Sequence, residues 1–203
     1  MKLFASLTSP YARKIRIILA EKRLPFELVV DSPWEGNTRI PSINPLGKVP
    51  ALVTENDEVF FDSPVIAGYL ETLDATPRLV PNDPLDAVRV RQLEALADGV
   101  TDAAVTALLE SRRPDGQRSE LEMDRQMEKI DRGLDELERR ASGRTWLHGD
   151  SLSLGDIAVA VALGYLDLRF AHHEWRDTHP ALAALADRMF ARPSFTSTRP
   201  PVG

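Results

Sequence analysis

The sequence predicts a small α/β domain built on a mixed four-stranded sheet, followed by an all-helical domain. Three observations carry this. The first 77 residues switch between a period of two and a period near 3.6, in the order β-α-β and then β-β-α. Residues 74–86 hold three prolines, three aspartates and an asparagine, a composition that joins domains. Beyond that stretch only helical periodicity recurs. The expected organisation is an α/β domain over 1–77, a linker over 78–86 and a helical domain over 87–203.

Each element has its own signal. Lys2 to Ser6 reads as a strand. Pro10 to Lys22 reads as a helix, with Tyr11, Ile15, Ile18, Leu19 and Lys22 on one stripe, of which only Lys22 is charged. Ser9 stands at the N-cap, and Pro10 stands where a missing N–H costs nothing. Phe26, Leu28 and Val30 alternate as a second strand. Residues 32–47 contain three prolines, two glycines and two asparagines and read as loop, with a helical turn near Arg39. Ala51–Thr54 and Glu58–Phe61 read as a hairpin around Asn56-Asp57, residue types that tolerate left-handed geometry. Ser63-Pro64 opens a helix carrying Ile66, Tyr69, Leu70 and Leu73.

In the second half, Leu85, Val88, Leu93, Leu96, Val100 and Leu108 mark a long helix, and Leu121, Met127, Ile130, Leu134 and Leu137 mark another. From Ser153 onward the apolar residues surround the helix, so this segment is expected at the centre of its domain. Ser153 and Asp156 have the spacing of a capping box, with Asp in place of the commoner Glu. Pro180, Leu182, Leu185, Met189 and Phe190 form a last helix, and the proline-rich tail from Arg192 is expected as irregular chain.

Composition narrows the chemistry. The 203 residues carry 25 Lys plus Arg against 31 Asp plus Glu, a formal charge of −6, which disfavours a nucleic-acid surface. There is no cysteine, which excludes disulfides, thiolate metal sites and a protein thiol nucleophile. The four histidines lack metal-ligand spacing, so no metal is expected. Met1 to Ser6 leads into polar and proline residues too early for a secretory segment, and Ile157 to Leu166 is too short to cross a bilayer. A cytoplasmic protein with no membrane partner is the expectation.

Three stretches can carry chemistry. Ser9-Pro10-Tyr11 places a hydroxyl between a strand and a helix N-terminus, where unpaired N–H groups and the helix dipole stabilise an anion. Ser9 equally suits a plain cap. In Asn44-Pro45-Leu46-Gly47-Lys48-Val49-Pro50, a turn precedes a strand. A cis Val49-Pro50 bond would let Val49 present its N–H and C=O to an extended ligand, whereas a trans proline would simply start the strand. Asp62-Ser63-Pro64 pairs a carboxylate with a hydroxyl at another helix start. That pair suits an α-amino-acid head, or it is a helix start with a solvated Asp.

In this order and at this spacing, the three stretches, the first with Arg13-Lys14 behind it, together with Ser153-Leu154-Gly155-Asp156 resemble the bacterial cytosolic glutathione transferases along essentially the whole chain. The resemblance implies a thioredoxin-like domain, an all-α domain and a homodimer. It implies a cis Pro50 with Val49 bonding the cysteinyl part of glutathione, Asp62 and Ser63 holding the γ-glutamyl end, and Lys48 beside them among the glutathione-binding residues. Ser153 and Asp156 take the family's structural capping box. The thiol would lie near Ser9, with Thr8 as the alternative hydroxyl, and Tyr11 is read as directed into the core. The implied activity is attack of the glutathione thiolate on a small, hydrophobic electrophile held near Leu96 to Leu108, with glutathione as co-substrate. A glutathione-binding or protein-interaction module without turnover, or a glutathione-dependent peroxidase or isomerase, are the alternatives.

Overall fold

Leu3 and Ala5 alternate with Lys2 and Phe4 along the first strand, and both are fully buried. That alternation sets which face of the sheet meets a helix. The computed structural model describes residues 1–201, in two units: residues 1–79 with 192 onward, and 80–191.

The first unit contains β1 (Lys2–Ala5), α1 (Pro10–Glu21), β2 (Glu27–Val30), a 3₁₀ turn (Ile40–Ser42), β3 (Ala51–Val53), β4 (Val59–Phe60) and α2 (Ser63–Thr72). The sheet order is β2-β1-β3-β4, with β1 parallel to β2 and antiparallel to β3, and β3 antiparallel to β4. This is the mixed four-stranded, thioredoxin-like arrangement expected. On α1, Ala12, Ile15, Ile18 and Leu19 are buried at helical spacing, and on α2 so are Ile66, Ala67 and Leu70. The hairpin turn uses Asp57 in the left-handed region, φ 59°.

Lys22, the lone charge on the α1 stripe, caps the C-terminus of α1. It stays buried because Glu71 Oε1 lies 2.8 Å from Nζ, which also donates to the carbonyls of Pro77 at 2.9 Å and Ala75 at 3.3 Å. Tyr11 departs from expectation. The core-facing stripe runs through Ala12 and Ile15, a helical step away from Tyr11, which is half-buried.

The tail departs further. The helical domain was expected to run on to residue 203, with irregular chain from Arg192. Residues from Arg192 onward instead cluster with the first unit and include a one-turn helix, α8 (Pro193–Thr196). An ion pair and a stacked guanidinium are among the contacts that hold them. Arg192 grips Glu21 through two hydrogen bonds of 2.7 and 2.8 Å, joined by Ser194 Oγ at 2.5 Å. Arg13 lies over the Phe195 ring, 5.5 Å from its centroid. Periodicity cannot report such ion pairs. Val202 and Gly203 lie outside the described residues.

The second unit contains α3 (Pro84–Ser111), α4 (Glu120–Ala141), α5 (Leu154–Arg169), α6 (Trp175–Thr178) and α7 (Pro180–Phe190). Every residue from Leu154 to Leu163 is buried, as the all-round apolar pattern of α5 predicts. The close approach of α5 to α3 depends on Gly155, where a Cβ would come within 2.9 Å of Leu93 Cβ. Two stripe assignments are corrected. Leu85 and Val88 on α3 are 57% and 63% exposed, and Leu121 on α4 is 80% exposed. All three sit at helix beginnings, on faces turned from the Val90-Leu93-Ala97 and Ile130-Leu134-Leu137 seams. The single-turn α6 had no periodic signal long enough to reveal it.

Candidate functional site

The sheet register gathers the three candidate stretches at one end of the first unit. Phe4 pairs with Ala51, and Leu52 with Phe60. The chain leaving β1 toward Ser9, the chain entering β3 from Val49 and the chain leaving β4 toward Asp62 therefore share an end of the sheet. Ala5 pairs with Val30, so the loop after β2 opens there too.

Ser9 is the N-cap of α1, with φ −73° and ψ 123°, and its Oγ accepts from the Ala12 N–H at 3.2 Å. This is the capping bond that the Ser-Pro start favours. Among the described residues Ser9 Oγ donates to nothing, so its proton remains available to an anion. Thr8 Oγ1 lies 3.4 Å from Ser6 Oγ, a long contact between two part-buried hydroxyls.

The turn before β3 is built by Asn44, a residue the sequence reading gave no role of its own. Buried to 1% exposure, it donates from Nδ2 to the Lys48 carbonyl at 2.8 Å and accepts at Oδ1 from the Leu46 N–H at 3.0 Å. Its carbonyl accepts from the Gly47 N–H at 2.8 Å. Gly47 takes φ +62°, which glycine adopts without a steric penalty. The signal was available, since asparagine followed by proline starts such side-chain-stapled turns. The turn delivers Val49-Pro50, whose peptide bond is cis. Neither the N–H nor the C=O of Val49 has a partner among the described residues. Lys48 projects its amine from the exposed surface.

Asp62 is the N-cap of α2, exposed, with no capping bond from its side chain, and the Phe61–Asp62 peptide is cis. Ser63, at the first helical position, is 2% exposed, and its hydroxyl has no partner among the described residues. A carboxylate facing solvent therefore stands beside a sheltered hydroxyl at the positive end of a helix. On the neighbouring loop, Trp34 is 75% exposed. Asp31 ties that loop down, accepting from Thr38 Oγ1 at 2.7 Å and from the Arg39 N–H at 3.1 Å; the Thr38 bond chiefly holds its carboxyl below the usual carboxylate range.

Ser153 and Asp156 lie in the second unit and form a capping box. Asp156 Oδ2 accepts from the Ser153 N–H at 2.8 Å and Ser153 Oγ at 2.6 Å, while Oδ1 accepts from the Leu147 N–H at 2.8 Å. Burial pushes the Asp156 carboxyl up, against the pull of these bonds. With every acceptor bond spent inside the fold, the pair fixes the start of α5.

Among the described residues no cluster of His, Asp and Glu is placed to hold a metal ion, and no helix is long and apolar enough to cross a membrane.

The chain matches the family model described as glutathione S-transferase, N-terminal domain, over residues 8–73, and the corresponding C-terminal domain over residues 120–188. It is 46% identical to the uncharacterized GST-like protein YibF of Escherichia coli, across 99% of both chains. It is 30% identical to the maleylacetoacetate isomerase of Pseudomonas aeruginosa, over 98% of this chain and 96% of that one. Among solved structures, a glutathione S-transferase of Methylobacillus flagellatus with glutathione bound aligns with a TM-score of 0.96 and 42% identity, covering 98% of this chain and 99% of that one.

Proposed function

The chain belongs to the glutathione S-transferase family, and from that membership we propose that it binds glutathione along the end of its first unit and transfers the thiolate to a small, hydrophobic electrophile. The observation that carries the reading is a set of polar groups without partners among the described residues at that end: the Ser9 hydroxyl proton, both backbone groups of Val49, and the Ser63 hydroxyl beside Asp62. Buried or semi-buried polar groups left open are costly unless a ligand completes them.

Glutathione matches these groups part by part. Its extended middle pairs with Val49 as a strand would. Its amino-acid head sets an ammonium against Asp62 and a carboxylate against Ser63 and the N-terminus of α2. Lys48 adds positive charge for a carboxylate. The thiol then faces the start of α1, where the Ser9 hydroxyl donates to the sulfur. Lowering a thiol pKa by about one or two units takes roughly 1.4–2.7 kcal/mol of preferential anion stabilisation, within reach of one charge-assisted hydrogen bond plus a helix terminus. Ser9 forms no covalent bond to substrate. The protein's contribution is positioning and anion stabilisation.

The active form proposed is a cytoplasmic homodimer. The exposed Leu85 and Val88, continued at alternating spacings of three and four by the exposed Gln92, Ala95 and Gly99, give α3 a stripe suited to a second copy. The isomerase among the relatives supports one further reading, in which the same thiolate adds to an unsaturated acid and leaves again.

Calorimetric titration with glutathione and steady-state conjugation of a reactive aryl halide test the proposal. Saturable binding with glutathione-dependent turnover is expected. Binding with turnover of a cis-unsaturated diacid and of no halide assigns the isomerase reading, and absence of glutathione binding overturns both.

A further inference from the structure

Asn44 acts on the Val49 backbone from the other end of one peptide group. Its Nδ2 donates to the Lys48 carbonyl at 2.8 Å. The Lys48 C=O and the Val49 N–H belong to the same planar peptide, which is trans, so the two bonds point in opposite directions. Holding the carbonyl oxygen toward Asn44 therefore aims the N–H away from it. That N–H has no partner among the described residues, and Val49 is half-buried.

The group that does the aiming is itself fixed. Asn44 is buried, and its Oδ1 accepts from the Leu46 N–H at 3.0 Å, so the amide NH2 is the end left for the Lys48 carbonyl. The Asn44 N–H donates at 2.8 Å to the carbonyl of Ile40, a fully buried residue. The Ile40 N–H donates to Thr38 Oγ1 at 3.2 Å, and that hydroxyl donates to Asp31 Oδ1 at 2.7 Å. A chain of bonds thus runs from the residue after β2 to the Val49 peptide. An asparagine turn is completed by the Leu46 bond alone. The second bond, from Nδ2, goes to the one peptide that carries the open donor.

We propose that Asn44 is a positioning residue for the ligand: it fixes the direction in which the Val49 N–H is offered to an extended backbone, and acts only through that peptide. The role rests on the glutathione reading above. A donor held in place before binding loses little freedom when its acceptor arrives. A peptide whose carbonyl already accepts a bond is also polarised toward stronger donation at its N–H. Released from Asn44, the Lys48–Val49 peptide is free to turn, and the N–H no longer stands where the ligand carbonyl needs it.

The test is steady-state conjugation of an aryl halide with glutathione varied, in the parent, Asn44→Ala and Asn44→Asp, each checked for folding by circular dichroism. Asn44→Ala loses both side-chain bonds. Asn44→Asp keeps an acceptor for the Leu46 N–H but sets a carboxylate oxygen against the Lys48 carbonyl. The glutathione KM should rise about tenfold or more in both variants. The kcat at saturating glutathione should stay within about threefold of the parent, as for lost uniform binding. A purely structural Asn44 would instead lower the active fraction, and so kcat, at constant KM, with Asn44→Asp nearer the parent. In the parent, hydrogen exchange followed by NMR should show the Asn44 Nδ2 protons protected with and without glutathione, and the Val49 N–H protected only with it. That measurement decides where neither variant folds. An unchanged glutathione KM in either folded variant, or Asn44 side-chain protons that exchange freely before glutathione is added, overturns the positioning role while parent turnover leaves the glutathione reading standing. Absence of glutathione binding by the parent overturns both.

Discussion

Lys22 Nζ lies 2.8 Å from Glu71 Oε1, with the two side chains only 1% and 9% exposed. The pair joins the end of α1 to α2, and the Leu79 N–H donates to the same carboxylate at 3.3 Å. Removing one partner strands a charge out of water, whereas removing both leaves neutral groups. Glu71→Gln should destabilise the protein by roughly 3–5 kcal/mol in urea unfolding. The Lys22→Met/Glu71→Gln double variant should lose clearly less than the sum of the singles. Strict additivity would show that the pair does not act as a unit.

Ser9 supplies one bond to the helix and has one proton to give. Ser9→Ala removes both. The lost cap should cost about 1 kcal/mol of stability. Turnover should fall about tenfold to a thousandfold with a smaller change in glutathione affinity, as for loss of one donor to a developing anion. Thr8→Ala should stay near the parent rate. A Ser9→Ala enzyme as fast as the parent, with Thr8→Ala slow, would transfer the role to Thr8.

The Glu21 carboxyl is held below the ordinary carboxylate range first by the Arg192 hydrogen bond, with Ser194 and the Arg192 charge adding to it against the effect of burial. A depressed native pKa contributes stability that is complete above the unfolded value and is lost as pH falls through the native one. The tail should therefore loosen on acidification below the usual carboxylate range. Hydrogen-exchange protection over 192–198, measured relative to the intrinsic rate at each pH, should be high at neutral pH and lost in acid. Glu21→Gln should exchange fast at both, and continued protection in that variant would place the anchor elsewhere.

Leu85 and Val88 on one chain expose apolar area at a spacing that a second helix can cover. Leu85→Glu/Val88→Glu should shift sedimentation from dimer to monomer, since buried uncompensated carboxylates oppose association. A parent that sediments as a monomer, or a double variant that remains a dimer, would remove this stripe from the interface.

Much of this was legible in the sequence for a physical reason: local signals report local structure. Ser9-Pro10, Asp62-Ser63 and Ser153 to Asp156 each mark a helix start within a few residues, and each helix starts there. The order β-α-β and then β-β-α, read from the switching periods, was enough to predict the mixed sheet. What stayed hidden depended on residues far apart in the chain. Lys22 stood out as the one charge on an apolar stripe, but nothing near it identified Glu71, 49 positions on. Leu85 and Val88 have helical spacing whichever face is covered, so periodicity alone could not separate an inner stripe from an outer one. Gly155 illustrates the middle case. It was noticed as part of a motif, yet its need, a close neighbour at Leu93, came from another helix.

The return of the tail to α1 also bears on how the chain is made. Arg192 meets Glu21 across 171 positions of sequence, so during synthesis the first unit waits until the chain has been made past residue 192 before its last helix is in place. A ribosome paused after α2 would display an α1 surface with Glu21 and Arg13 still bare. A fragment cut at residue 79 to isolate the α/β unit would keep that surface permanently, and would be expected to need a longer boundary or a supplied tail peptide to stay soluble.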